Sequence, residues 1–397
     1  MAHTLLTSDI ITNEAMAILH QECNFIGSVN RQHDGRFAKS GAKIGSNLRV
    51  RKPNQMVIRK GRTYVGQDIV NQYVDLPIRE QYGVDMDFFS DDLALKIDNF
   101  SELYIQPAMS VLVANLEADF LSYATKTVSN IVDSDAAAID MDDIGMAEQI
   151  LTDNLCPTGM RTALMSTKHN RKLVSANAGL FNSQEAISNQ YKTGLMGKAA
   201  GFEFRRSTFV RDHQTGTAAK TTGYLINGAS QTGATLTVDG GTTTLLVGVI
   251  ITLAGVFSVH PETKANSGEL QKFVVTANSG ASATSIAISP SIVTSGARQN
   301  VSGSPADNAA IVKVGAGANE LLNSSIAYHK DAFTFATADL PLPGGMDMAS
   351  RKVFEGISLR YLRGFDIDND RFISRFDLLP AWAALRPEWA CRIHADG

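Results

Sequence analysis

Charged side chains are distributed very unevenly along this chain of 397 residues. Residues 212–316 hold ten charged side chains in 105 residues, whereas the remaining 292 residues hold 66 of them. The charge-poor segment is rich in Gly, Thr, Ser, Ala and Val, and turn sequences such as Asn227-Gly228 interrupt it. Short β-strands joined by tight turns have this composition. The pattern therefore predicts a small β-barrel or sandwich inserted into a larger α+β domain.

The bulk composition excludes several classes of protein. A net charge of −4 gives no general signal for nucleic-acid binding. The cysteines Cys23, Cys156 and Cys391 lie far apart, which argues against a disulfide framework and a zinc site. The longest apolar run, residues 245–259, is shorter than the roughly 20 residues of a membrane span. Its interruptions by Gly, Thr and Ser favour a pair of β-strands.

Helical periodicity is clearest between Pro107 and Val128. Apolar residues recur there in steps of three and four, and Pro107 suits the first turn of a helix. At 1.5 Å per residue such a helix spans roughly 33 Å, which suggests a structural spine. Residues 9–23 have an amphipathic pattern after a helix start signal, so a terminal helix is also expected. Further expected elements are helices at 142–155 and 168–176, strands at 161–165, 202–210 and 385–393, and strands across 353–377 with turns at Gly364 and 368–370.

Positive charge is concentrated in residues 31–62. This stretch holds ten basic residues and only Asp34 as an acidic one, so its charge of +9 leaves −13 for the rest of the chain. Apolar residues at 48, 50 and 56–58, and again from Val65 to Met86, predict two long strands around Gly61. A two-stranded arm with little core is marginally stable alone in water. We therefore expect the hairpin to lie on a partner.

The basic stretch has three interpretations. It can be a solvated hairpin face, a docking surface for an acidic neighbouring subunit or helper protein, or a loose contact with nucleic-acid phosphates. The stretch lacks interleaved aromatic residues, which disfavours specific nucleic-acid recognition. The acidic remainder of the chain favours subunit docking. The candidate interface residues are Arg49, Arg51, Lys52, Arg59, Lys60 and Arg62.

Catalytic and metal-binding motifs are missing from the sequence. There is no GxSxG, GxxxxGK[ST] or GxGxxG pattern, and the eight histidines are scattered without ligand spacing. Asp366, Asp368 and Asp370 resemble the start of a calcium loop, but Arg371 stands where the loop needs Gly and Asp377 where it needs Glu. A turn between strands is the better interpretation. We expect no enzyme activity, no cofactor and no metal.

Three groups of segments resemble the major capsid (coat) proteins of tailed double-stranded DNA phages. One group, 254–264 with 270–275, resembles the inserted domain of coat proteins from short-tailed phages. The order of the segments around the charge-poor insert makes the resemblance more specific than any one motif. The other groups are 191–210, which contains Tyr191-Lys192-Thr193-Gly194, and the series 327–333, 356–360, 366–370, 375–379 and 386–390, with the N-terminal residues 4–7 beside them.

The resemblance implies an α+β fold, the tailed-phage major capsid fold of the Hong Kong phage type, with an inserted small β-barrel. The implied divisions are an N-terminal arm at 1–35, an extended β-hairpin loop at 36–86, a peripheral domain with the spine helix at 87–135 and 345–378, an axial domain at 136–211, 317–344 and 379–397, and the inserted β-domain at 212–316.

The implied function is self-assembly into an icosahedral phage head that encloses packaged double-stranded DNA. The implied partners are other copies in hexamers and pentamers, a scaffolding protein and a portal, with only weak non-specific contact to DNA and no membrane. The protein would be part of the virion after assembly in the host cytoplasm. The alternative is an encapsulin-like bacterial nanocompartment shell, against which the long insert argues. Covalent Lys–Asn crosslinking between subunits stays open.

Overall fold

The structure is a computed structural model. It describes residues 8–31, 47–64, 66, 71–89, 101–176, 197–315 and 317–396. The predictions made for residues 4–7, 32–46 and 191–196 lie outside these ranges, including those for Arg36, Lys39 and Lys43. None of the helices in the described ranges has the length and hydropathy of a membrane span.

The described residues form four α-helices and 21 strands. The helices are α1 Ser8–Glu22, α2 Gln106–Thr127, α3 Met141–Asp153 and α4 Thr167–Ala176. The strands are β1 Asn47–Lys52, β2 Gln72–Pro77, β3 Tyr82–Phe89, β4 Ile131–Ala138, β5 Arg161–Ser166, β6 Lys198–Ala199, β7 Phe202–Ser207, β8 His213–Gln214, β9 Thr221–Ile226, β10 Gly233–Asp239, β11 Ile250–Val259, β12 Asn266–Val275, β13 Ser285–Ile292, β14 Ala310–Lys313, β15 Leu321–Leu322, β16 Ser324–His329, β17 Phe333–Ala338, β18 Met348–Phe354, β19 Ile357–Asp366, β20 Arg371–Ala384 and β21 Ala390–Asp396.

The chain divides into two compact units. The first unit comprises residues 1–51, 73–120 and 333–385, and the second comprises 52–72, 121–332 and 386–397. Each unit is therefore assembled from segments that are distant in sequence.

A five-stranded antiparallel sheet organises the first unit. The long strand β20 pairs with β19 and β3 along its first part and with β17 along its second part, and β18 pairs with β19. Phe25, Phe120 and Phe333 pack together with ring centroids 4.8 to 6.5 Å apart, so the segment after α1, helix α2 and strand β17 share one aromatic core. The buried carboxylate of Glu117 in α2 also accepts hydrogen bonds from the backbone N–H groups of Phe25 and Ile26, at 2.7 and 3.1 Å.

A six-stranded sheet and a closed barrel make up most of the second unit. The sheet has the order β4-β21-β16-β5-β7-β6, with parallel pairs β21–β4 and β5–β7. One face carries an apolar core that includes Ile144 and Leu151 of α3, Phe202 of β7 and Ile393 of β21. Asp140 and Asp143 form a capping box at the start of α3, which satisfies N–H groups that a helix end otherwise leaves unbonded.

The charge-poor segment contains the closed barrel, with strand order β10-β13-β12-β11-β14-β9 and antiparallel neighbours throughout. Tyr224, Ile251 and Phe273 are among the buried residues that fill it. The short strands β8 and β15 pair beside the barrel, and Lys313 bonds Glu320 at 2.8 Å. The two ends of the insert therefore lie close together, as a tolerated insertion requires. Of the two architectures left open by the sequence, the barrel is the one found.

The helix predictions at 9–23, 107–128, 142–155 and 168–176 are confirmed within two residues at each end. The strand prediction at 161–165 is confirmed as well. The prediction of a pair of strands in the apolar run 245–259 is wrong. This run contributes a single strand, β11, which begins at Ile250.

The hairpin prediction is wrong in two places. Residues 56–58 form no strand, because Pro53 lacks an N–H group to continue the ladder and Met-Val-Ile does not alternate. Residues 82–86, assigned to the hairpin loop, lie in β3 and pair with β20. Within the described residues of the expected hairpin, the strands that pair with each other are β1 and β2. The alternation at Tyr82, Val84 and Met86 correctly indicated a strand. That strand pairs with β20, almost 300 residues further along the chain.

Three further expectations for the C-terminal part differ from the structure. Gly364 is inside β19, opposite Ile373, and the first turn of this region lies instead at Glu355-Gly356, where both residues have positive φ. The expected strand at 385–393 begins only at Ala390, after a short 3₁₀ helix. Residues 333–344 and 379–385, assigned to the axial domain, fall in the first unit because β17 pairs with β20.

Candidate subunit-docking surface

The strand β1 separates its apolar and basic side chains onto opposite faces. Leu48 and Val50 are buried, whereas Arg49 and Arg51 are exposed. Alternate residues of a strand point to opposite faces, so this sequence can bury one side and charge the other. Leu48 packs with Leu76 of β2 in an apolar cluster of the first unit. The buried side fixes the strand, and the arginines are presented outward.

An ion pair joins the two strands of this ribbon on the exposed side. Arg49 Nε lies 3.1 Å from Asp75 Oδ1, and both side chains are largely exposed to solvent. A surface ion pair of this kind contributes about 0–1 kcal/mol to stability. The pair therefore orients Arg49 more than it holds the fold together.

Residues 53–64 follow β1 without forming a helix or strand. The guanidinium of Arg59 donates hydrogen bonds to the carbonyls of Gly61 and, at 2.7 Å, of Thr63. Gly61 has φ of +112°, a conformation that favours glycine. The arginine thus closes a turn around Gly61. Lys60 and Arg62 are exposed on this turn, and no carboxylate pairs with them within the described ranges.

Large apolar side chains are exposed among these basic residues. Met56, Ile58 and Tyr64 have exposed fractions of 57, 79 and 86 %. Exposed apolar groups beside charged ones are typical of a surface that meets a partner. Residues 47–64 contain six basic and no acidic side chains. We call residues 47–64 the basic segment.

The six residues predicted to form an interface fall into two groups. Arg49 and Arg51 share the exposed face of β1 in the first unit. Lys52, Arg59, Lys60 and Arg62 belong to the stretch 52–72, which is assigned to the second unit. Their role as an interface stays a prediction.

The calcium-like sequence forms the turn between β19 and β20. The Asp366 carboxylate accepts hydrogen bonds from Asn369 Nδ2 at 2.9 Å and Arg371 Nε at 3.0 Å. These bonds lower the pKa of Asp366 below its usual value. Its oxygens accept hydrogen bonds from residues of the turn, which agrees with the interpretation of this sequence as a turn between strands. Across the described ranges, no group of three potential ligands is arranged to hold a metal ion.

A buried polar cluster in the second unit was not anticipated from the sequence. The Arg392 guanidinium donates to the Gly248 carbonyl at 2.8 Å, His213 Nε2 donates to the Val247 carbonyl at 2.8 Å, and His394 Nε2 lies 2.6 Å from Ser324 Oγ. Burial lowers the pKa of His213 to about 4 and that of Arg392 to about 9. The available signal was the alternation of Arg392 and His394 with apolar residues in β21, but alternation alone suggests a solvated face.

Comparison with known proteins places this architecture in a family. A family model described as P22 coat protein, gene protein 5, matches residues 39–392. The chain belongs to the P22 coat protein family. It is a phage major capsid protein, with the tailed-phage capsid fold and a small closed barrel of six strands.

One solved structure resembles the chain in fold, and two others match it with lower TM-scores. The structure from Mycobacterium phage Che8 has a TM-score of 0.52 at 12% identity, covering 93% of this chain and 90% of that chain. The bacteriophage PhiM1 mature capsid has a TM-score of 0.45 at 10% identity, covering 89% of this chain and 83% of that chain. The CUS-3 coat protein I-domain is 33% identical, with a TM-score of 0.20, and covers 24% of this chain and 96% of that chain. A comparison with curated protein sequences finds no match.

Proposed function

We propose that copies of this coat protein build the icosahedral phage head around packaged double-stranded DNA, and that the basic segment of each copy docks on an acidic surface of its neighbour. The observation that carries the docking proposal is the basic segment itself. Over residues 47–64 it carries six basic side chains and three strongly exposed apolar ones, and no residue between 53 and 64 is buried. Contacts between two different surfaces of identical copies generate closed rings and shells.

Hydrophobic burial and electrostatic attraction would act together at such a contact. Burial of Met56, Ile58 and Tyr64 would contribute about 25 cal/mol for each Å² of apolar area removed from water. The basic side chains would set the register and accelerate encounter with a chain whose remaining charge is negative. Each contact can be weak, because many contacts per subunit act together in a shell.

The remaining parts of the proposal concern partners and place. Scaffolding and portal proteins would guide assembly in the host cytoplasm, packaged DNA would be contacted only weakly and non-specifically, and the protein would catalyse no reaction. The alternative is an encapsulin-like nanocompartment shell. Membership of a phage coat protein family and the inserted barrel favour the phage head.

Charge reversal tests the docking proposal. We expect the combined substitution of Arg49, Arg51, Arg59 and Arg62 by Glu to abolish shell formation, because like charges would meet at the contact. The subunit should stay folded, since Arg49 and Arg51 are exposed and Arg59 and Arg62 lie outside any strand. Sedimentation velocity measures assembly, and circular dichroism measures folding.

Substitution of the same four arginines by Lys is the matched control, because it retains the charge. This variant should assemble. Particles of normal size and yield from the Glu variant would refute docking through the basic segment, and the coat protein assignment would be unaffected.

A further inference from the structure

Helix α4 in the second unit carries positive charge on its exposed face. Lys168, Arg171 and Lys172 recur at the spacing of three and four residues that places side chains on one side of a helix. On the opposite side His169 and Leu173 are buried. The two ring nitrogens of His169 lie 2.7 Å from a serine Oγ of β16 and 3.0 Å from a carbonyl oxygen of β21. The helix is thus fixed on the six-stranded sheet, and its cations are presented outward.

The end of β7 adds two arginines beside the start of α4. Strands β5 and β7 are parallel, and Arg206 is opposite Met165, two residues before α4 begins. Arg211 precedes Asp212, which accepts a hydrogen bond at 2.7 Å from Asn323, and β16 starts directly after Asn323 at the end where β5 stops. Both arginines are exposed. We call the following residues the α4 patch: Lys168, Arg171, Lys172, Arg206 and Arg211.

The segments that contain the α4 patch have a strong excess of positive charge. Residues 167–176 and 197–212 hold seven lysines and arginines and two acidic residues, so their net charge is +5. One of the two acids, Glu203, is already paired with Arg205 at 2.9 Å. The patch therefore attracts anions on a chain whose net charge is −4.

The charges of α4 oppose its helix dipole. Its first turn contains Lys168 and no acidic residue, and its last turn contains no basic residue. Cations at a helix N-terminus are unfavourable, because the N-terminus itself has a partial positive charge. Helix α3 has the opposite and stabilising arrangement, with Asp142 and Asp143 in its first turn. The cations of α4 therefore do not stabilise the helix, and an anion on the exposed face would offset their repulsion.

The α4 patch differs from the basic segment in its lack of exposed apolar groups. Among the described residues 161–176 and 197–212, none is an exposed large apolar side chain, whereas the basic segment exposes Met56, Ile58 and Tyr64. A protein partner is bound through apolar and aromatic contacts as well as charge. A phosphate backbone is bound through charge alone, and reading of bases in single strands needs exposed aromatic rings. The contrast assigns different partners to the two basic surfaces.

We propose that the α4 patch binds the phosphate backbone of packaged double-stranded DNA without reading its sequence, an inference that rests on the proposed phage head. Lys168 and Lys172 are about 6 Å apart along the helix axis. Phosphates of one strand follow each other about every 3.4 Å along the duplex axis, so the patch spans more than one phosphate. Each neutralised phosphate releases counterions, and the affinity therefore falls as salt concentration rises.

Fluorescence anisotropy of a short labelled duplex measures binding by dispersed full-length subunits. Two duplexes of unrelated sequence should bind equally well. Substitution of Lys168, Arg171 and Lys172 by Gln should lower the affinity at least about tenfold at low salt, and should reduce the slope of log affinity against log salt by about 2 to 3. The variant should unfold at the same temperature as the unchanged protein or higher, since a first-turn cation is removed.

Substitution of Lys52, Lys60 and Arg62 by Gln is the matched control, because it removes three positive charges from the basic segment. This control should bind the duplex as the unchanged protein does. Sedimentation velocity measures shell formation separately, and the α4 variant should assemble normally. A failure of the unchanged protein to assemble would thus count against the proposed function, whereas the DNA measurements test the α4 patch.

Three outcomes would overturn the proposal. The α4 variant would bind DNA with unchanged affinity and salt slope, or both variants would lose affinity equally, as a general charge effect requires. Alternatively, the α4 variant would retain DNA binding and lose binding of a scaffolding protein, which would assign the patch to a protein partner.

Discussion

At the scale of single residues, Asp377 shows how the first unit uses charge inside its sheet. Its carboxylate is fully buried and accepts hydrogen bonds from Arg360 Nη2 at 2.6 Å, Arg375 Nη2 at 2.6 Å and Gln81 Nε2 at 2.8 Å. Burial would raise the pKa of Asp377, but these hydrogen bonds outweigh it and hold the pKa below its usual value. The charge is therefore retained in the interior, where it links β20 to β19 and to Gln81, the residue before β3.

Replacing Asp377 by Asn should destabilise the subunit by about 3 kcal/mol at pH 7, because two arginines lose their buried counter-charge. A carboxyl whose folded pKa is lowered stabilises the fold above its unfolded pKa near 4, and this stabilisation is lost as pH falls through the lower folded pKa. The difference between the two proteins should therefore shrink at pH 3. Urea unfolding of dispersed subunits at both pH values measures it.

Asp368→Asn is the matched control for this prediction, because Asp368 is exposed in the turn between β19 and β20. Its effect should stay within about 0.5 kcal/mol, as is usual for a surface substitution. A variant at Asp377 as stable as the control at pH 7 would show that the buried charge does not join the strands.

At the scale of elements, local patterns were predictable and distant pairings were not. Helix α2 could be predicted from its apolar stripe and from Pro107, because helical periodicity and helix start signals depend only on neighbouring residues in the sequence. Strand β3 also had a visible alternation, but its partner β20 depends on chain topology. The same limit applies to β17, whose pairing with β20 moved it into the first unit.

For the basic segment, the sequence predicted the charge but not the backbone conformation. The excess of basic residues can be counted in the sequence, so Arg49 to Arg62 were identified. The turn closed by Arg59 and the exposure of Met56 and Ile58 follow no recognisable pattern in residues 53–64, so they could not be predicted. For Arg392, not even the composition gave a signal. Its burial depends on the loop around Gly248, which contacts it and lies far away in the sequence.

At the scale of elements, Gly248 is a position where the backbone conformation and close neighbours both disfavour a side chain. Its φ is +94°, and an added Cβ would lie 2.9 Å from His213 Nε2 and 3.2 Å from Lys126 Cα. We expect Gly248→Ala to lower the free energy of unfolding by about 3 kcal/mol, through backbone strain and steric overlap. Chemical denaturation of dispersed subunits would measure the loss.

Gly255→Ala separates the two causes, because Gly255 also has positive φ but an added Cβ would meet no atom within 4 Å. Backbone strain alone should cost about 1 kcal/mol there. Equal losses in the two variants would show that the close approach of Gly248 to Lys126 and His213 does not matter.

At the scale of the whole molecule, the inserted barrel has the attributes of an independent folding unit. Its six strands close on themselves and therefore leave no open sheet edge, and its buried residues form their own apolar cluster. We expect a fragment of residues 212–316 to fold alone and to give a dispersed amide proton spectrum. A spectrum with the narrow dispersion of a random coil would contradict this expectation.

Copies of the chain should interlock into a closed shell. Electron microscopy of the purified full-length protein, overexpressed with and without a scaffolding partner, shows whether they do. We expect closed icosahedral particles of uniform diameter, whose subunits contact each other through the basic segment. Dispersed single subunits at every protein concentration and with every scaffolding partner would contradict it.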